Sequence, residues 1–212
     1  MSDAATRDAD TRSAGSLRER KKRATAHALG LAALKLAAER GVENVRVEEI
    51  AAAAGVSPRT FNNYFPSKEA AIVSLVMERA ARVADFLRAR PANEPLPKAI
   101  RAAYAEQYTG RVPDDRDRFT KMRLVIGAPS LRGEYLKAAV AAERPLTEAI
   151  LSRIGTGAKN TRFARVLAAS FLAVERIAVR NWMEARGATP LATLIREAVD
   201  QVIGGAAAWP AA

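Results

Sequence analysis

Cysteine is absent from this 212-residue chain, histidine occurs once, and no apolar run approaches the length of a bilayer-spanning helix. Without cysteine there is no disulfide, no thiolate nucleophile and no thiolate metal site. The lone His27 cannot build a histidine metal cluster, and its plain reading is a partly exposed polar residue in a helix. A phosphate-cradling glycine loop is missing, as are strand-like alternation of any length and any internal repeat. Charged neighbours such as Glu175-Arg176 read as solvated or ion-paired helix charges rather than as an acid–base pair. The first residues are polar and mixed in charge rather than signal-like. The expectation is a cytoplasmic, non-enzymatic protein with no membrane partner, no metal and no cofactor.

What is present is positive charge, helical periodicity and one ordered motif. The formal charge of +11 favours an anionic partner such as nucleic acid. Its distribution does not locate the surface, because residues 1–70 hold 12 basic and 9 acidic side chains and residues 71–212 hold 22 and 14. Local clustering is more informative: Arg18, Arg20, Lys21, Lys22 and Arg23 lie within six positions, opposed only by Glu19.

The motif is Val47 to Lys68, VEEIAAAAGVSPRTFNNYFPSK. Val47, Ile50, Ala51 and Ala54 repeat at helical spacing, and the alanines are small enough for a second helix to cross close to the backbone. Gly55 ends that helix and Val56 plugs the turn. Ser57 then Pro58 is a strong helix start, a capping hydroxyl followed by a ring whose missing N–H costs nothing there. The helix from Pro58 to Tyr64 carries Arg59, Thr60, Asn62 and Asn63, and arginine reads guanine and asparagine adenine through bidentate pairs in the major groove. Phe65-Pro66 closes it, Ser67 caps the next helix, and Lys68 stands where backbone N–H groups and a cation hold a phosphate.

These features make a helix-turn-helix, and the surrounding residues narrow it. Glu39-Arg40-Gly41 at the end of an arginine-rich first helix, Val47-Glu48-Glu49-Ile50-Ala51, Ala54-Gly55-Val56-Ser57, Thr60 and Tyr64-Phe65-Pro66-Ser67-Lys68-Glu69 resemble, in order, the N-terminal domain of the TetR family of bacterial transcriptional regulators. The match is close over about the first 70 residues and continues beyond them only in layout. Asn62 stands where the family commonly has a phosphate-contacting tyrosine, and Asn63 where a histidine is frequent. On this reading Arg59, Thr60, Asn62 and Asn63 face bases, while Ser57, Pro58, Tyr64, Lys68 and the cluster containing Arg18, Lys21 and Lys22 meet the backbone of double-stranded DNA.

Elsewhere the chain reads as all-α. Residues 1–15 show no apolar period and read as a disordered arm, whose Arg7 and Arg12 are too diluted by Asp3, Asp8 and Asp10 to favour minor-groove binding. Ser16 and Glu19 fit a capping box that starts the first helix, which runs to about Arg40. Leu29, Ala33, Leu36 and Ala37 form one apolar stripe, assigned to the helix-turn-helix, and Leu31 and Leu34 a second, assigned to the body of the protein. The domain boundaries expected are 16–66 for the DNA-binding part and 67–205 for a larger helical part, with 67–90 as linking helix and 206–212 as flexible tail. Prolines and polar residues break the chain at Arg90 to Pro95, and a charged loop surrounds Pro113. Residues 131–154 are helical by period, with Pro145 expected to kink or divide them.

The TetR resemblance implies that the last two helices pair with those of a second copy. Phe163, Leu167, Val174, Ile177, Trp182, Leu191, Leu194, Ile195 and Val202 are the stripe residues placed at that interface, although the same stripes suit an intramolecular core. Symmetry supplies an independent reason, since a two-fold dimer sets two recognition helices about 34 Å apart on one DNA face. The resemblance also implies a small-molecule cavity among the middle helices, with Phe86, Tyr104, Tyr108, Phe119, Met122 and Phe171 as candidate lining and ordinary core packing as the alternative. The expected function is a ligand-responsive repressor, binding a near-palindromic operator as a homodimer and released by a small-molecule inducer. The alternative is a low-specificity architectural DNA-binding protein without an effector.

Overall fold

The computed structural model describes residues 3–108, 120–121, 123–125 and 127–205, with side chains from Arg18 onward apart from Glu19. Among these every regular element is helical: α1 (Asp3–Arg40), α2 (Val47–Ala53), α3 (Pro58–Tyr64), α4 (Lys68–Ala89), α5 (Leu96–Tyr108), α6 (Arg132–Ile154), α7 (Ala158–Glu184) and α8 (Leu191–Gly204). Short 3₁₀ turns at Val42–Asn44 and Pro129–Leu131 join them. The chain divides into two compact units, Met1–Leu75 and Val76–Ala212, so α4 begins in the first and continues in the second.

In the first unit α2 packs on both α1 and α3. Leu29, Ala33 and Ala37 of α1 are buried and Leu36 is half-buried, so the first stripe faces inward, against a core that includes Ile50 and Ala51 of α2, Phe61 of α3 and Ala71 and Ile72 of α4. The second stripe is corrected: Leu34 is buried, but Leu31 is 45% exposed. At Gly30 the crossing with α4 is so close that a Cβ would lie 2.6 Å from Ser74 Oγ and 3.3 Å from the Ala71 carbonyl oxygen. Glycine is needed there for proximity, not for its dihedral freedom.

Two further expectations are corrected. Helix α1 starts at Asp3, inside the segment read as a disordered arm and ahead of the capping box at Ser16. Missing apolar period argues against packing, but Ala4, Ala5, Ala9 and Ala14 still favour the helical backbone. Pro145 does not divide α6, which runs unbroken from Arg132 to Ile154. Ala142, Leu146, Ala149 and Ile150 are buried on either side of it, and that packing offsets the one hydrogen bond a proline removes.

The second unit is a helical layer around a core in which Val83, Leu87, Ile100, Tyr104, Leu146, Ile150, Phe171, Trp182 and Ile195 are buried. The break after α4 is held by Arg153 of α6. Its guanidinium donates to the carbonyls of Leu87, Arg90, Pro91 and Glu94 at 3.4, 3.2, 2.8 and 2.7 Å. Carbonyls left without helical partners at the end of α4 thus meet a cation, which the helix dipole also favours. Phe119, Met122, Ile126, the loop around Pro113 and the tail 206–212 lie outside the described residues.

Removing the close approach at Gly30 has a measurable signature. Gly30→Ala destabilises the N-terminal unit, and the same substitution costs about 1 kcal/mol less in a Ser74→Ala background, where the hydroxyl it strikes is gone. Chemical denaturation of the four variants reads the coupling, and strictly additive effects contradict it.

Candidate nucleic-acid interface

The recognition segment is built by three local devices. Helix α2 ends in a paired-bond stop: the Val56 N–H donates to Ala51 O at 2.9 Å and the Gly55 N–H to Ala52 O at 3.1 Å. Gly55 sits at φ +69°, the left-handed region that this motif requires and that a Cβ disfavours. Ser57 then caps α3, its Oγ accepting from the Thr60 N–H at 3.1 Å and lying 2.9 Å from Thr60 Oγ1. Finally Phe61 is fully buried and its ring meets Phe65 at a centroid distance of 5.8 Å, so one face of α3 is pinned.

With Phe61 inward, the helical period turns its neighbours outward. Arg59, Asn62 and Asn63 are exposed, as are Ser57 and Pro58, while Thr60 and Tyr64 are half-buried. The side chains of Arg59, Asn62 and Asn63 make no hydrogen bond or ion pair among the described residues, so their donors and acceptors are open to a base edge. On α1, Arg18, Lys21 and Lys22 are exposed at helical spacing i, i+3, i+4, which places them on one face.

Lys68 is used differently from the sequence expectation. Its ammonium donates to the carbonyls of Val45 at 2.9 Å and Glu43 at 3.3 Å, tying the start of α4 to the turn before α2. Glu49 makes the matching link on the other side: it accepts from the Arg46 N–H at 3.0 Å and from the Arg40 guanidinium at 2.8 Å. The Arg46 backbone N–H, and beyond it the Arg40 guanidinium, hold the Glu49 carboxyl below its ordinary value of 4.5.

In the second unit, a cavity of about 420 Å³ opens between α5 and α8, lined in part by Tyr104, Tyr108, Ile195 and Val199. Of the candidate ligand residues it brings together Tyr104 and Tyr108. Phe171 is buried behind them, its ring 5.7 Å from that of Tyr104, and Phe86 packs against the core; neither lines the cavity. The Tyr108 hydroxyl donates to Glu175 at 2.6 Å, and Arg79 Nε lies 3.8 Å from the same carboxylate oxygen. Of the two readings expected for Glu175, solvated or ion-paired, it is the second: the carboxylate is buried, bonded by Tyr108 and beside Arg79. The available signal was position, since Phe171, Glu175 and Val179 share one buried face at four-residue spacing. Burial raises the Tyr104 phenol well above its ordinary range, with Glu175 adding to the effect.

A family model described as bacterial regulatory proteins, tetR family, matches residues 31–73, and one described as the MftR C-terminal domain matches residues 94–207, more than half of the chain. The chain belongs to the TetR family. The HTH-type transcriptional regulator TcmR of Streptomyces glaucescens is 34% identical over 173 residues, covering 78% of this chain and 76% of TcmR. Among solved structures, the fatty acid degradation regulator FadR from Bacillus halodurans superposes with a TM-score of 0.54 at 23% identity, over 86% of this chain and 96% of that one. Thermus thermophilus FadR, a TetR-family repressor in complex with lauroyl-CoA, gives 0.54 at 20% identity, over 88% and 97%. At these identities the two structures show a common fold. As a TetR-family member the chain is a DNA-binding transcriptional regulator and not an enzyme. No helix among the described residues is long and apolar enough to cross a membrane.

TetR regulators typically form dimers, and the residues expected at that interface separate into two groups. Trp182, Leu191 and Ile195 are buried within the chain itself. Phe163 and Ile177 are about half exposed, and Leu167, Val174, Leu194 and Val202 are half-buried. The stripe on α7 and α8 is wide, and its inner edge serves the intramolecular core.

The Glu49 link makes the N-terminal unit sensitive to acid with a definite sign. A carboxyl held below its ordinary value stabilises the fold above about pH 4.5, and that contribution disappears as pH falls through the lowered value. Thermal melts of the parent and Glu49→Gln should differ at pH 7, with the variant lower, and converge in acid once pH has fallen below the lowered value. A gap that stays constant from pH 7 into the acid range contradicts the link.

Proposed function

We propose that this TetR-family chain is a ligand-responsive repressor that binds a near-palindromic operator as a homodimer and leaves it when a small molecule occupies the second unit. The observation that carries the reading is the set of exposed, unengaged side chains Arg59, Asn62 and Asn63 on a helix fixed by Ser57 and Phe61. Arginine and asparagine are the side chains suited to bidentate pairing with guanine and adenine. Arg18, Lys21, Lys22, Ser57 and Tyr64 supply backbone contacts that set the register without reading sequence. Lys68 contributes to the same surface mainly by fixing the start of α4.

Exposed Phe163, Val166 and Ile177 on α7 support a homodimer, since large apolar side chains in one stretch of surface favour a partner. The cavity between α5 and α8 supports an effector, being of the size that small ligands occupy. Helix α4 is the covalent route between the two units. An effector acts through it only to the extent that it binds one of the two conformations more tightly.

Selection of bound DNA from a random pool should enrich two half-sites related by a dyad, one helical turn or a multiple of it apart. For the enriched sequence, the Arg59→Ala, Asn63→Ala double variant should lose discrimination against random DNA by about a hundredfold, from roughly 1–3 kcal/mol per bidentate pair. Unchanged discrimination removes α3 as the reading element. Poor discrimination by the parent, with a steep salt dependence, favours an architectural DNA-binding protein instead.

A further inference from the structure

We propose that the cavity between α5 and α8 takes an apolar molecule bearing an anionic group, with that group at the rim against Lys98, Arg101 and Arg196. The inference rests on the effector reading above and narrows it to a chemical class.

The inner wall is apolar apart from one hydroxyl: Ile195, Val199 and the ring of Tyr104, each residue 2% exposed, lie against the void, and the buried Tyr104 hydroxyl has no hydrogen-bond partner among the described residues. Such a wall favours a hydrophobic body, because each buried methylene contributes about 0.8 kcal/mol on leaving water. The ionised lining groups are three cations and one carboxylate, Asp200. Asp200 is already committed to Arg101, whose Nε donates to it. Lys98 has Glu94 at 3.8 Å, but that carboxylate is gripped by Arg90 at 2.7 and 2.8 Å and is shared at best. Arg196 is exposed and has no ion pair among the described residues.

Positive charge beside the void therefore exceeds negative charge by two. A cationic ligand would add a like charge to that imbalance, and a neutral one would leave it unused. A carboxylate or phosphate would receive charge-assisted hydrogen bonds from a guanidinium next to a low-dielectric wall, where they are stronger than in open water. The two cations on α5 and the one on α8 also let a single anion bridge both helices. Glu175 is bonded by Tyr108 and does not line the cavity.

The test titrates the full-length protein by calorimetry with dodecanoate, dodecyl phosphate and dodecanol, each below its micelle-forming concentration. Both anions should bind about tenfold or more tightly than the alcohol, and their order separates a carboxylate from a phosphate preference. Arg196→Gln, an exposed substitution, should remove most of that margin while leaving dodecanol unchanged. Ala105→Trp, at an exposed lining position, should weaken all three by filling the void, with circular dichroism confirming the fold. Dodecanol binding as tightly as the anions, or dodecanoate binding unaffected by Ala105→Trp, overturns the inference. Affinity for the enriched DNA is followed by anisotropy in the same samples. Anions that bind here without changing DNA affinity support the inference and contradict the effector reading. Release from DNA by neutral or cationic molecules, with no anion binding, supports the effector reading and overturns the inference.

Discussion

Burial of a single ring, Phe61, is the constraint on which the DNA-facing surface depends. Helix α3 has seven residues, and an isolated helix of that length does not persist in water. It exists because Phe61 is fully buried in the first unit, because Ser57 satisfies an N–H at its start, and because Gly55 turns the chain at the right point. The same burial fixes rotation about the helix axis. Once position 61 faces inward, positions 59, 62 and 63 face solvent, and the exposure of the side chains proposed to read bases follows from packing rather than from any contact of their own.

Much of this was legible in the chain because it is local. A glycine that must enter the left-handed region, a serine–proline start and a phenylalanine before proline each act within a few residues. Lys68 was legible as a cation near a helix start but not as a clamp, because its partners at Glu43 and Val45 lie more than twenty residues back. The start of α1 is hard to read from the sequence for a related reason. Apolar period reports what packs against a helix, whereas alanine content reports whether the helix forms, and residues 3–15 have the second without the first.

The second unit was less legible because its helices share one apolar stripe between two duties. Periodicity shows that Trp182, Leu191 and Ile195 are covered, but not whether the cover comes from the same chain. The structure puts them inside, leaving Phe163, Val166 and Ile177 as the outward apolar residues of α7. Glu175 shows the same limit from the polar side. A carboxylate within an apolar face reads equally as a solvated or an ion-paired charge, and only the fold brings Arg79 and Tyr108 to it. Tyr104 and Tyr108 were found as cavity residues, while the rim cations were missed. Exposed lysine and arginine are too common on helices to single out without the void beside them.

The central claim is that α3 holds its reading posture only because Phe61 is docked. Hydrogen exchange of the α3 amides in Phe61→Ala, compared with the parent, tests it most directly. Truncating a buried phenylalanine costs about 3–5 kcal/mol. The account predicts that amide protection from Phe61 to Phe65 falls by at least about a hundredfold, with α7 and α8 unaffected. Protection of α3 at the parent level in that variant would contradict it.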